Sequence, residues 1–317
     1  LKPEISRLHI EEAHQRIASY IHQTPVMQSS SVNLITGCKI FFKCENFQKA
    51  GAFKSRGASN ALFKHLEKAK KHGVATHSSG NHAQALARVA NYAGVKAYIV
   101  MPENSNPLKI AAVREYGGLI TFCQPTLQAR EETLQKVMAE TGAIEIHPYD
   151  NPDIIAGQAT AAKELFEEMP RADMIIAPVG GGGLLSGTAL ASHYFSQGTP
   201  VIAAEPFQAN DAWQSFQSKS YIPSVAPNTI ADGLRTSLGE LTFPIIMKHV
   251  DDILTVSEQG IIDAMKLIWL RMKIIIEPSA AVVPAAILEH PEVFKNKTVG
   301  AILSGGNADI YHLPWHE

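Results

Sequence analysis

Cysteine is scarce: Cys38, Cys44 and Cys123 are an odd set with no C-x-x-C pair, which is poor material for a disulfide framework and argues for a reducing compartment. An excess of either charge is also missing. The 28 Lys and Arg residues stand against 30 Asp and Glu, so nothing draws the chain toward a nucleic acid or an anionic membrane. No solenoid repeat and no low-complexity linker is present. Long apolar runs are lacking too. The one charge-free run long enough to cross a bilayer, Met174 to Ala204, is interrupted by six glycines and two prolines. The first stretch, "LKPEISRLHIEEAHQRIASYI", has neither the apolar core nor the small-residue cleavage site of a signal peptide and reads as a charged amphipathic helix. The expected location is therefore cytoplasmic.

What is present is a well-mixed globular composition. Of 317 residues, 45% are hydrophobic and 18% charged, which suits about two domains of roughly 100–200 residues each. From about residue 74, apolar strand-like runs alternate with helical periodicity. "GVATHSS", "VKAYIVMP", "LITFC", "ADMIIAPV", "TPVIAAE", "DDILTVS" and "KTVGAILSGG" are each followed by a helical or polar stretch. Such alternation implies right-handed crossovers and a mainly parallel sheet with helices on both faces, hence an α/β protein with two sheets. In such sheets ligands collect at the carboxyl ends of the strands, so chemistry is sought in the segments just after them.

Four such segments stand out. In "KAGAFKSRGASNAL", Lys54 sits between the strand "KIFFKCENF" and the helix "SRGASNALFKHLEKAKK". A solvated surface lysine is the ordinary alternative. A lysine in a desolvated pocket instead has a lowered pKa and can form a Schiff base with a carbonyl cofactor. "MIIAPVGGGGLLSGTALASHYF" places Gly180, Gly181, Gly182 and Gly183 between a strand and a helix start. A flexible tether would use the same residues, but it would not be wedged between two regular elements. Bare backbone N–H groups there can close around a phosphate. The spacing fits neither a Walker loop nor a dinucleotide fingerprint, because Gly187 is followed by Thr188 and the sixth place from Gly180 is Leu185. A small cofactor with both a phosphate and an aldehyde would use the cradle and Lys54 together, and pyridoxal 5'-phosphate is that molecule.

"THSSGNHAQALA" brings Ser78, Ser79, Gly80, Asn81 and His82 to a helix start. One serine is explained by helix capping; the whole set also suits the carboxylate of an amino-acid substrate. "AILSGGNAD" puts Ser304 directly after a strand, where it is either part of a turn or, facing a cofactor, a hydroxyl donor to a pyridine nitrogen. "AAEPFQAND" offers Glu205 and Asp211, a solvated acidic loop on the plain reading and hard oxygen ligands for magnesium or calcium on the other.

Taken in this order, the lysine motif, Ser-Ser-Gly-Asn-His, the tetraglycine and Ser-Gly-Gly-Asn resemble the fold-type II pyridoxal-phosphate enzymes, and within them the serine racemase and short serine/threonine dehydratase group. The likeness runs from "HQTPV" to "SGGNAD". It implies a tryptophan synthase β-like fold of two open twisted sheets. Residues 1–65 and 148–317 would form the large cofactor-binding domain, and 74–146 a small mobile one. Lys54 would hold the cofactor, with Phe53 packed beside its ring, Asn81 on its phenolic oxygen, Gly180 to Gly183 on its phosphate and Ser304 on its ring nitrogen. Ser79 would face Lys54 across the substrate Cα, with Ser78 to His82 holding the substrate. Glu205, Asp211 and the carbonyl of Ala209 would bind a divalent cation. Relatives are usually dimers and some are activated by nucleotide with magnesium, so a homodimer and an ATP effector are further expectations, without a C-terminal regulatory domain.

The expected reaction is conversion of L-serine or L-threonine to a 2-oxo acid and ammonia. Lys54 would remove the Cα proton, and a proton returned by Ser79 from the opposite face would give the D-amino acid. The alternatives are a primary serine racemase, a 3-hydroxyaspartate dehydratase, a β-replacement synthase, or a non-catalytic regulator that binds pyridoxal phosphate or a nucleotide. "FKSRG" and "SSGNH" favour elimination over replacement. Ala52 stands where animal racemases have a serine, as in microbial and fungal relatives, and "HPYDNPDIIAGQ" also looks microbial or fungal.

Overall fold

A computed structural model describes residues 4–315. Among the described residues, ten strands form two sheets. They are β1 (Val26–Met27), β2 (Lys39–Cys44), β3 (Val74–His77), β4 (Ala97–Pro102), β5 (Leu119–Cys123), β6 (Ile144–Glu145), β7 (Met174–Pro178), β8 (Val201–Pro206), β9 (Asp252–Val256) and β10 (Thr298–Leu303). The larger sheet has the order β1-β2-β10-β7-β8-β9 and the smaller β5-β4-β3-β6. Every pairing is parallel except β1 with β2. The α/β reading with two mainly parallel sheets is thus the observed architecture. β1 and β6 went unread because two residues carry no periodicity.

The strands of the larger sheet are buried on both faces, as Val, Ile and Ala runs require. One face packs on the helices Glu258–Met272 and Pro278–Glu289 through Ile261, Met265, Val282 and Ala286. The other packs on Arg7–Ile17, Pro152–Glu168 and Gly183–Phe195 through Ile10, Ile155, Leu185 and Ala189. Each fully buried Val, Leu or Ile adds about 1.5–3 kcal/mol, offset by the entropy of ordering the chain. The smaller sheet draws its strands from residues 74–145, yet its core also takes Ala58, Leu62 and Ala69 from before Val74 and Ile154 from after β6. The helix Lys54–Lys64 therefore belongs to the seam between the sheets.

The stretch "SRGASNALFKHLEKAKK", expected as one helix, is two. His65 leaves helical geometry at φ −112°, ending Lys54–Lys64 before Leu66–His72 begins. Asp153 explains the break, because it takes both Lys64 Nζ at 2.5 Å and His65 Nε2 at 2.9 Å.

Candidate active site

The lysine loop and the Ser304 loop are joined by backbone. Leu303 lies in register with Cys44 at the carboxyl ends of β10 and β2. Beyond them Ala52 pairs with Gly305, and Phe53 N–H donates to the Ser304 carbonyl at 3.0 Å. Lys54 opens the next helix. It keeps a little accessible surface, but the surrounding protein desolvates its amine and lowers its pKa to about 8. Its Nζ donates to the Pro148 carbonyl at 2.7 Å and lies 5.2 Å from the Phe53 ring centre.

Asn81 joins this group from the smaller sheet. Its Oδ1 accepts from Asn307 Nδ2 at 2.9 Å, and its Nδ2 donates to Glu277 Oε1 at 2.7 Å. Glu277 was missed by sequence reasoning. It is buried, and desolvation, with Asp232 adding, pushes its pKa up to about 7. A lone "EPS" before a helix carries no spacing signal that could have found it.

The loop Ser78–Gly80 follows β3 and is half-buried. No side chain caps the helix Asn81–Tyr92; Ser78 Oγ instead accepts from Gly80 N–H at 3.4 Å, so the simple capping reading does not hold. His82 is buried and its Nε2 bonds the Ile146 carbonyl at 3.0 Å, leaving Nδ1 without a partner among the described residues. Burial and then Lys54 keep its pKa well below the usual range, so the ring is a neutral wall. No hydrogen bond or ring contact links Ser79 to Lys54 among the described residues. Lys109 closes over this loop, pairing with Asp232, while Asn106 Nδ2 reaches Asp309 at 3.1 Å. Both contacts join the segment after β4 to the larger sheet's side of the site.

Gly180 to Gly183 lie between β7 and the helix Gly183–Phe195. None of the four has room for a Cβ; the need is plainest at Gly182, with φ +87°, and at Gly181, where a Cβ would run into the Tyr149 ring. Among the described residues nothing accepts from the backbone N–H groups of Gly180, Gly181 or Gly182. With the helix dipole behind them, these donors suit a phosphate. Burial lifts the Tyr149 hydroxyl to about 12, so the ring beneath the loop stays neutral. A groove of ≈ 620 Å³ is lined by His77, Glu131, Glu145 and His147 among others.

Residues 17–305 match the family described as "Pyridoxal-phosphate dependent enzyme". The chain belongs to that family. It is 50% identical over 304 residues to a beta-hydroxyaspartate dehydratase of Paracoccus denitrificans (strain Pd 1222), covering 96% of each chain. It is 48% identical over 308 residues to the serine racemase of Dictyostelium discoideum, covering 95% of this chain and 94% of that one. The crystal structure of that racemase matches with a TM-score of 0.91 over 96% of this chain and 99% of the other, at 47% identity. A crystal structure of threonine deaminase from T.th. also matches with a TM-score of 0.91, at 42% identity, with the same coverages. The protein is thus a pyridoxal-phosphate dependent enzyme, and its own residues fit the cofactor: a lysine amine of lowered pKa, unpartnered N–H donors at a helix start, and a buried serine after β10.

The acidic residues lie apart, at the end of β8. They are no solvated loop: Glu205 is 1% exposed and Asp211 4%. Glu205 accepts from the N–H groups of Ala212 and Trp213 at 3.0 and 2.7 Å. Neither Asp211 carboxyl oxygen makes a hydrogen bond of good geometry among the described residues, although Ser224 lies close enough to act on the carboxyl. Burial, with a smaller opposing pull from Ser224, lifts Asp211 to about 6; burial and then Asp211 push Glu205 well above the usual carboxylate range. Among the described residues no group of three or more His, Cys, Asp or Glu side chains could hold a metal ion.

Proposed function

We propose that the enzyme eliminates ammonia from β-hydroxy L-amino acids, namely L-serine, L-threonine and 3-hydroxyaspartate, and racemises serine at the same site. The observation that carries this reading is the Lys54 amine, which is desolvated to a pKa of about 8 and bonded to a carbonyl rather than a carboxylate. Near neutral pH such an amine supplies enough free base to take a proton from Cα. The names of the relatives, dehydratase, racemase and deaminase, support this substrate class.

When bound, pyridoxal phosphate supplies the electron sink that makes the Cα proton removable. The protein does the rest. Gly180 to Gly183 would hold the phosphate, Phe53 would pack on the ring, and Ser304 would donate to the ring nitrogen as a neutral partner. Asn81, fixed between Asn307 and Glu277, would offer the remaining N–H of its amide to the phenolic oxygen. The substrate carboxylate is received by Ser78, Ser79 and the N–H groups at the start of Asn81–Tyr92. Lys54 takes the Cα proton, the β-hydroxyl leaves as water, and hydrolysis of the released enamine by a second water gives the 2-oxo acid and ammonia. Reprotonation by Ser79 from the other face gives the D-amino acid.

Glu205, Asp211 and the Ala209 carbonyl are read as a divalent-cation site, supported by two buried carboxylates with no cation beside them. Two carboxyls and a carbonyl fit magnesium, which keeps several of its own waters. A homodimer, an ATP effector and a cytoplasmic location stay with this reading on the resemblance alone.

The test incubates the holoenzyme with L-serine, L-threonine and L-threo-3-hydroxyaspartate in turn and measures 2-oxo acid, ammonia and D-serine together. Lys54→Ala is expected to abolish all products. Ser79→Ala is expected to cut D-serine formation about 100-fold, the scale of a lost general acid, and elimination far less. No 2-oxo acid from any of the three substrates would sink the elimination reading.

A further inference from the structure

The turn from His147 to Asp150 touches both ends of the cofactor site. Its Pro148 carbonyl seats the Lys54 amine, 94 residues away in sequence. Its Tyr149 ring lies against Gly181, and the Tyr149 Cβ and backbone lie against Gly183. Its Asp150 carboxylate accepts from the N–H groups of Leu241 at 2.8 Å and Glu240 at 3.0 Å, and Thr242 from that same loop donates through Oγ1 to the Gly181 carbonyl at 2.8 Å.

One side chain holds the turn itself. His147 Nδ1 accepts from Asp150 N–H at 2.8 Å and from Tyr149 N–H at 3.3 Å. A ring nitrogen that accepts two N–H groups carries no proton, so the hydrogen bonds assign the neutral Nε2–H tautomer. The ring is clamped edge-on between Tyr149, with centroids 4.7 Å apart, and His77, 5.9 Å apart.

Pyridoxal phosphate has its aldehyde and its phosphate at fixed places on one rigid ring. The lysine and the glycine loop must therefore be held at one matching span, and looseness of even an ångström is costly in a site of this kind. Lys54 opens one helix and the glycines precede another, and neither element sets that span alone.

We propose that His147 is a positioning residue for the cofactor, fixing the turn that seats the Lys54 amine on one side and props the glycine loop on the other. This rests on the cofactor, which family membership establishes, and not on the choice of substrate.

The experiment compares His147→Leu, which keeps bulk but has no acceptor, with His147→Asn, whose side-chain oxygen can accept from the backbone two residues on. Cofactor-free protein is titrated with pyridoxal phosphate and, separately, with inorganic phosphate. The absorption band of the bound cofactor and the melting temperature of the cofactor-free protein are recorded alongside. The leucine variant is expected to bind both ligands at least about tenfold more weakly and to shift the band, with the cofactor-free melting temperature within a few degrees of the parent. The asparagine variant is expected to recover cofactor affinity to within about threefold; tenfold corresponds to about 1.4 kcal/mol. Should the leucine variant not fold, His147→Gln, whose longer amide cannot close the same turn, replaces it. Parental affinity without the acceptor, or equal losses with and without it, overturns the proposal. Failure of the reaction reading would look different, with normal affinities and no product.

Discussion

Arg56 and Asp211 both sit in buried charge, and their surroundings are built differently. Around Arg56, all five guanidinium N–H donors are used: two bonds each go to Glu45 and Glu164 and one to Thr160, at 2.7–3.0 Å. Lys43, 0% exposed, adds a second cation on Glu164 at 2.8 Å and donates to the Thr24 carbonyl at 2.7 Å. Burial pushes Glu164 up, yet Arg56 and Lys43 overcome it and leave the carboxyl below its usual range. Around Asp211 burial meets no cation, and both carboxyls go up. A closed cluster has nothing left to bind and serves to lock elements together, here β2, the lysine helix and Pro152–Glu168. An open one carries an uncompensated cost that a ligand can relieve.

The largest expected effect comes from breaking the closed cluster. Arg56→Met strips Glu45 of its cation and leaves Glu164 with Lys43 and His14, and is expected to cost about 3–5 kcal/mol, read by urea unfolding. The sign of the pH dependence follows from Glu164. Its folded pKa lies below the ordinary 4.5, so its share of the stability is full above that value and is lost as pH falls through the folded pKa.

The open pair is expected to respond in the opposite sense. Asp211 has its pKa raised from 3.8 to about 6, so the folded state holds the proton more tightly. Without a divalent cation, stability should fall as pH rises across that window. Magnesium at about 100 times its Kd should restore about 2.7 kcal/mol at neutral pH, and Asp211→Asn should abolish the gain. Thermal melts with magnesium and with a chelator measure both. A melt indifferent to magnesium would remove the cation from the proposal.

Glu277 sharpens the comparison from between the two. It is buried, with an amide partner and, among the described residues, no ion pair of its own, and burial outweighs the pull of Lys109 to raise its pKa from 4.5 to about 7. Stability should decline as pH climbs through that range. Glu277→Gln keeps an acceptor for Asn81 and should flatten the decline, gaining about 1–2 kcal/mol at pH 8. An unaltered pH profile would mean the carboxyl does not titrate there.

The sequence by itself determined the alternation of strand and helix, the two sheets, and the chemistry-bearing segments at strand ends. These are local properties: a period of two or 3.6, a glycine run, a lysine before a helix. They placed Lys54, Asn81, Gly180 to Gly183 and Ser304 at their elements, because each lies within a few residues of the strand or helix that presents it. Only the tertiary structure decided who meets whom. Glu277 finds Asn81 across 196 residues and Arg56 finds Glu164 across 108, distances over which spacing carries no information. Taken alone, Arg56 is a cation two residues after Lys54, and "HPYD" carries no spacing signal. That one became the hub of a closed charge cluster, and the other the seat of the Lys54 amine, follows from how the two sheets pack against the helix between them. Burial, which turns a carboxyl at pKa 4.5 into one near 7, is a property of the packed molecule and not of any stretch of its chain.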